Sequence, residues 1–177
     1  MAAHAAPPTP FPTKVWLVAT LAVTAAALSS YLVSRSHPVE HDDAAAVLCL
    51  LSGLFLLRVV GQLLVRARAP RWLPPTEQWN LMPYRWLLPS QLGIVGLLAW
   101  IDVDFARGYG FWVEPRPALG VGVLVFALLY ASVMAGRYVL RMRLRPDQRW
   151  FGGTIPIAFH FVLAAYLLVL GSFHASY

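Results

Sequence analysis

The sequence predicts an all-α membrane protein with about five transmembrane helices. Of its 177 residues, 59% are hydrophobic and only 12% are charged, and the mean hydropathy is +0.61. Soluble domains carry about 25% charged residues, so a water-soluble fold of this length would expose much apolar surface. The one cysteine, Cys49, excludes an internal disulfide framework and a cysteine-cluster metal site. The length is that of a single domain.

Five apolar segments are candidates for crossing the bilayer. A spanning helix needs about 20 mostly apolar residues, because the hydrocarbon core is about 30 Å thick. The third segment is short and follows Pro89, while the last carries Pro156 in its first turn, where a missing N–H costs little. The predicted spans are residues 15–34, 44–65, 87–101, 118–140 and 154–176, within a single helical domain over 15–177.

The charges predict which way these spans run. With five spans, one side of the membrane receives a net charge of +9 and the other a net charge of −3. The positive-inside rule places the basic side in the cytoplasm, with the N-terminus inside and the C-terminus outside. The basic residues assigned to the cytoplasmic side are Lys14, Arg58, Arg66, Arg68, Arg71, Arg85, Arg137, Arg141, Arg143, Arg145 and Arg149.

This charge distribution also bears on partners and location. It argues against nucleic acid and for anionic lipids, which attract each basic residue near the surface by about 1 kcal/mol. A high alanine content and a preference for arginine over lysine are typical of high-GC bacteria. We therefore expect a multi-pass protein of the bacterial cytoplasmic (inner) membrane.

Two segments are expected outside the spans. Residues 1–14 form an arm rich in proline and alanine, which cannot build a core and would lie against a neighbouring subunit. Residues 72–90 contain four prolines and three tryptophans. Because this many prolines forbid a long helix, we expect a kinked interfacial segment with its aromatic rings among the lipid headgroups.

Four residues are candidates for binding a lipid headgroup. Arg58 is the charge deepest within a predicted span, and an ionisable residue inside a membrane is a functional hypothesis by default. It also lies within snorkelling reach of the surface, so a structural role is the alternative. Arg85, Trp79 and Trp86 lie in the interfacial segment and could form a platform for a lipid or quinone headgroup.

Two histidines share one face of the last span. His160 and His174 are 14 residues apart, which places them within about 40° on the helix and about 21 Å apart along it. This spacing suits one axial ligand for each of two stacked haems, but no other predicted span supplies a second histidine. A two-haem site within one chain is therefore excluded, which leaves a haem site shared with a partner subunit or a single pigment ligand. The alternative, which we favour, is an interfacial histidine near each helix end.

The connection after the first span could bind a divalent metal ion. His37, His41 and Asp42 are potential ligands at short spacing. Asp42 also lies where the second span begins, and a carboxylate there is favoured by helix capping and by the helix dipole. Capping therefore explains it without a metal.

The motifs of the common hydrolases, nucleotide-binding proteins and redox enzymes are absent, and the sequence leans away from an enzyme. Ala127, Ala131 and Ala135 recur every four residues, which is typical of close helix–helix contact. We expect a non-catalytic accessory subunit of a larger inner-membrane complex, packing against other integral membrane subunits and lipid. The alternatives are a haem- or pigment-binding electron-transfer subunit using His160 and His174, and a small lipid-modifying enzyme or carrier.

Overall fold

Five long helices make up the fold, which confirms the predicted fold class. The computed structural model describes residues 11–34, 41–68, 70–75, 78–79, 84–144 and 154–177, and no strand occurs in these ranges. Each helix is long and apolar enough to cross a membrane, so this is a multi-pass membrane protein. In chain order the helices are α1 (Phe11–Ser34), α2 (His41–Arg68), α3 (Tyr84–Arg107), α4 (Pro117–Leu144) and α5 (Ile155–Ala175).

The last helix, α5, is the central one. About 72% of its most apolar stretch is buried, against 17% for both α3 and α4. It packs against α1, α2 and α4, whereas α3 is held mainly by α2. The sequence explains this position, because α5 contains no Asp, Glu, Lys or Arg and is apolar on every side.

The closest helix contact joins α4 to α5 through two glycines. A Cβ atom at Gly120 would lie 2.7 Å from the carbonyl carbon of His174, and one at Gly171 would lie 2.9 Å from the backbone nitrogen of Leu124. Glycine at both positions lets the two backbones touch. Ala127 is fully buried. The small residues of α4 are therefore partly used within the chain.

Charged residues gather at the two ends of the bundle. We call the end where α1, α3 and α5 begin the basic end, and the other the acidic end. Among the described residues, the basic end carries Lys14, Arg66, Arg68, Arg71, Arg85, Arg141 and Arg143, and the acidic end carries Asp42, Asp43, Asp104, Arg107, Glu114 and Arg116. Which end faces the cytoplasm stays a prediction.

The third helix differs from its predicted span. It runs over 24 residues, from Tyr84, three residues before the predicted start, to Arg107, six residues after the predicted end. Pro89 lies in the second turn, where it removes one backbone hydrogen bond without ending the helix. At the other end the helix includes Asp102 and Asp104, which were expected beyond the span. The other predicted helix ends lie within four residues of the observed ones.

The two expected non-membrane segments are shorter than predicted. Residues 1–10 of the arm lie outside the described residues, and Phe11–Lys14 form the first turn of α1. Within the predicted interfacial segment, residues 72–75 and 78–79 are not α-helical, but residues 84–90 are the first turns of α3. The rest of that segment lies outside the described residues.

Candidate functional site

A cavity of about 210 Å³ lies between α2, α3, α4 and α5, in the half of the bundle nearer the basic end. We call it the Arg58 cavity. Among the described residues, its lining contains two arginines and no carboxylate. The polar lining residues are Arg58, Ser90, Gln91, Tyr130, Arg137 and His160, and the apolar ones are Phe55, Leu87, Ile94, Pro156 and Leu163.

The cavity lies at the base of a cleft between α3 and α4. Among the described residues α3 packs along α2 and α4 packs along α5, but α3 and α4 make no extended contact with each other. Leu87 and Ile94 line the cavity from α3, and Tyr130 and Arg137 line it from α4. Between α3 and α4 the bundle is therefore not closed by a helix–helix contact.

Arg58 is the central residue of this cavity. Its side chain is only 5% exposed, and its Nε has no hydrogen-bond partner among the described residues. The guanidinium carbon lies 6.0 Å from the ring centroid of Phe55 and 5.6 Å from that of Phe159. Two aromatic faces attract the cation without neutralising it. Arg58 lies ten residues before the end of α2, or about 15 Å along the helix, and its side chain is buried in the bundle.

Hydrogen-bonded pairs surround the arginine. The hydroxyl of Tyr130 and Nδ1 of His160 share a hydrogen bond that joins α4 to α5. The amide Nε2 of Gln91 donates to Oε1 of Gln62 at 3.1 Å, which joins α3 to α2. Gln91 Oε1 is buried and has no hydrogen-bond partner among the described residues. The lining of the cavity thus combines two cations with one buried acceptor that has no described donor.

The structure separates the other predicted headgroup residues from Arg58. Arg85 and Trp86 lie together at the start of α3, where both are exposed and the guanidinium lies 5.8 Å from the indole centroid. Trp79 is 1% exposed, and its indole N–H donates to the carbonyl of Pro74 at 2.8 Å. Its ring packs edge-to-face on Trp16.

The two histidines of α5 have different surroundings. His160 lines the cavity and bonds Tyr130, whereas His174 is fully buried near the acidic end and packs edge-to-face on Phe173. They do not share a cavity. The haem or pigment hypothesis stays a prediction.

The predicted metal ligands fall mostly outside what the structure describes. His37 lies in an undescribed range, and His41 begins α2 without a described side chain. Asp42 is exposed in the first turn of α2, beside Asp43, where two carboxylates stabilise the positive end of the helix dipole. Within the described ranges, no group of three or more His, Cys, Asp or Glu could hold a metal ion.

A second polar group lies on the acidic side of the same bundle. The hydroxyl of Tyr166 donates to Oδ1 of Asp102 at 3.1 Å. Asp102 also lines a cavity of about 270 Å³ between α2 and α3, with Cys49 and Ser52 as its other polar residues. Two residues after Asp102, Oδ2 of Asp104 accepts a hydrogen bond from the backbone N–H of Trp112 at 3.3 Å. These carboxylates therefore have partners within the chain.

The residue that the sequence analysis missed is Tyr130, which lines the cavity beside Arg58. Tyr130 and Arg137 are seven residues apart, so they lie on one face of α4, and that spacing was the available signal. It does not show which helix the face meets. The pairing with Arg58 and His160 depends on the arrangement of three helices.

No protein-family model, no curated protein and no solved structure matches this chain. Its function is therefore argued from the site alone.

Proposed function

We propose that the protein binds an amphiphile with an anionic headgroup, which enters the Arg58 cavity from the bilayer between α3 and α4. The supporting observation is the environment of Arg58. A buried charge is costly unless a counter-charge or hydrogen bonds compensate it. Here a second arginine lines the same cavity, and within the described ranges no carboxylate does. An anionic group from a ligand supplies the missing compensation.

The cleft supports a ligand that arrives from the membrane rather than from water. Its walls, α3 and α4, are the least buried helices of the bundle, and the cavity is lined by Leu87, Ile94 and Leu163 beside its polar groups. A lipid can place its headgroup at Arg58 while its chains stay in hydrocarbon. Among the functions that the sequence predicts as alternatives, lipid binding in this cavity is closest to that of a lipid carrier.

Lipid retention by purified protein tests this proposal. Native mass spectrometry of the detergent-solubilised protein should show copurified anionic lipid. Arg58→Gln should reduce the bound fraction at least about tenfold, because the variant loses a hydrogen bond between charged groups. Arg68→Gln, an exposed position on the same helix, is the matched control and should retain the lipid. Equal retention by both variants would contradict the proposal.

A second candidate is the predicted role as a subunit of an inner-membrane assembly. Ser132, Ala135 and Gly136 are exposed on α4, and a Cβ atom at Gly136 would meet nothing within 4 Å. Such a face can accept a partner helix closely. Copurification from mildly solubilised membranes tests it. Gly136→Leu should release the partner. Gly93→Leu is the control, because Gly93 on α3 also has open space around it, and this variant should keep the partner bound.

A further inference from the structure

We propose that the headgroup bound in the Arg58 cavity is a phosphate ester whose other substituent carries a hydroxyl group, as in phosphatidylglycerol. This inference rests on the proposed function and specifies its ligand. It combines two features that the described part of the chain shows at the cavity: a pair of arginines without a carboxylate, and the buried Oε1 of Gln91 without a donor.

The arginines favour phosphate over the other polar groups of membrane amphiphiles. A guanidinium presents its N–H groups as a planar fork that matches phosphate oxygens, and two guanidiniums can bind different oxygens of one phosphate. A neutral quinone headgroup would leave Arg58 without a counter-charge. A carboxylate has two oxygens that the two arginines can bind. A phosphate ester is also negatively charged, and its ester oxygens add further acceptor positions.

Gln91 favours a hydroxyl on the same headgroup. Its Nε2 is already engaged by Gln62, so the free part of the amide is Oε1, which accepts hydrogen bonds. A phosphodiester has no hydrogen to donate, and the ligand therefore needs a separate donor. An ammonium headgroup could donate too, but Arg58 and Arg137 would repel it, since no described carboxylate lines the cavity.

The Tyr130–His160 pair is consistent with this assignment. It closes the side of the cavity formed by α4 and α5 and lies beside both arginines. A tyrosine hydroxyl can donate to a phosphate oxygen when it is not donating to the imidazole. The pair thus adds a neutral donor on the phosphate side, while Gln91 provides the acceptor from α3.

The test compares lipids that differ in one group. The delipidated full chain is titrated in micelles with phosphatidylglycerol, with phosphatidylethanol (the same charge without the hydroxyl) and with oleate, and binding is read by native mass spectrometry. We expect phosphatidylglycerol to bind about fivefold tighter than phosphatidylethanol, the ratio that one net hydrogen bond supplies. Gln91→Met should remove that preference and keep the dependence on Arg58.

Each of the other possible results of this experiment contradicts a different part of the proposal. Equal binding of the two phospholipids overturns the hydroxyl assignment, and oleate binding as tightly as phosphatidylglycerol overturns the phosphate assignment, both without affecting the proposed function. Competition by water-soluble glycerol 3-phosphate at equal concentration would overturn the bilayer source. Binding of anionic lipid that persists unchanged in Arg58→Gln would overturn the proposed function itself.

Discussion

The guanidinium of Arg58 on α2 lies 5.6 Å from the centre of the Phe159 ring on α5, inside the bundle rather than at its surface. The contact joins a cation to the central helix, whose own residues carry no acidic side chain. An aromatic face stabilises a cation by about 0.5–2 kcal/mol, which is less than the cost of burying one. The proposed anionic ligand would compensate the remainder of that cost.

Replacing Arg58 should separate stability from binding. We expect Arg58→Met to leave the delipidated protein equally stable or to stabilise it by about 1–4 kcal/mol, because a buried charge gives way to an apolar chain of similar length. The same variant should lose lipid binding. Unfolding in mixed micelles measures the first effect, with Arg68→Met, exposed on the same helix, as the control. A large loss of stability without lipid would point to a structural arginine instead.

Tyr166 should stabilise the fold through Asp102. Its hydroxyl donates to the carboxylate at 3.1 Å, and Tyr166→Phe leaves that half-buried acceptor with one donor fewer. We expect a loss of about 1–3 kcal/mol in the free energy of unfolding. Asp102→Ala, which removes the acceptor, combined with Tyr166→Phe gives a double-mutant cycle. A coupling energy indistinguishable from zero would show that the two groups do not interact.

Gly61 should not tolerate a side chain. A Cβ atom there would lie 2.8 Å from Cη2 of the buried Trp79, so Gly61→Ala should destabilise the protein by about 1–3 kcal/mol as the indole is displaced. Gly93→Ala is the matched control, because a Cβ atom at Gly93 meets nothing within 4 Å. Unfolding midpoints in detergent compare the two, and equal midpoints would disagree with the packing of Trp79.

Gly120, where α4 contacts α5 at the acidic end, should not tolerate a side chain either. Gly120→Ala would push a methyl group against the backbone at His174, which cannot move aside as a side chain can. We expect a loss of about 2–3 kcal/mol, toward the upper end of the usual overpacking range. Gly122→Ala, on the same helix with open space around it, should be neutral or slightly stabilising. The thermal unfolding of both variants provides the comparison, and identical losses would mean that the two helices do not touch at Gly120.

Some of this molecule could be predicted from the sequence because its signals are local. Five apolar stretches of sufficient length give five helices, and the charged connections separate the ends of the bundle. The end of α3 was missed because Asp102 and Asp104 look like loop residues. Both carboxylates nevertheless accept hydrogen bonds in the last turns of the helix, Asp102 from the hydroxyl of Tyr166 and Asp104 from the backbone N–H of Trp112. A carboxylate with such partners can lie in the last turns of a membrane helix.

The site could be predicted only in part, for a different reason. Arg58 was identified from its depth in a span, but its surroundings come from three other helices. In a soluble protein, the apolar stripe of each helix shows which face meets the core, whereas here nearly every face is apolar. The hydropathy pattern therefore could not show that Tyr130 and His160 meet beside Arg58, or that α3 and α4 stay apart.

Photo-crosslinking from within the cavity tests the central proposal most directly. A photoreactive side chain at Ile94, which lines the Arg58 cavity, is compared with one at Leu97, which is 46% exposed on the same helix, in nanodiscs of mixed anionic and zwitterionic lipid. We expect crosslinks at Ile94 to be enriched in anionic lipid over the bulk composition, crosslinks at Leu97 to match the bulk, and Arg58→Gln to abolish the enrichment. Bulk composition at both positions, or no lipid at Ile94, would contradict a bilayer-derived anionic ligand in this cavity.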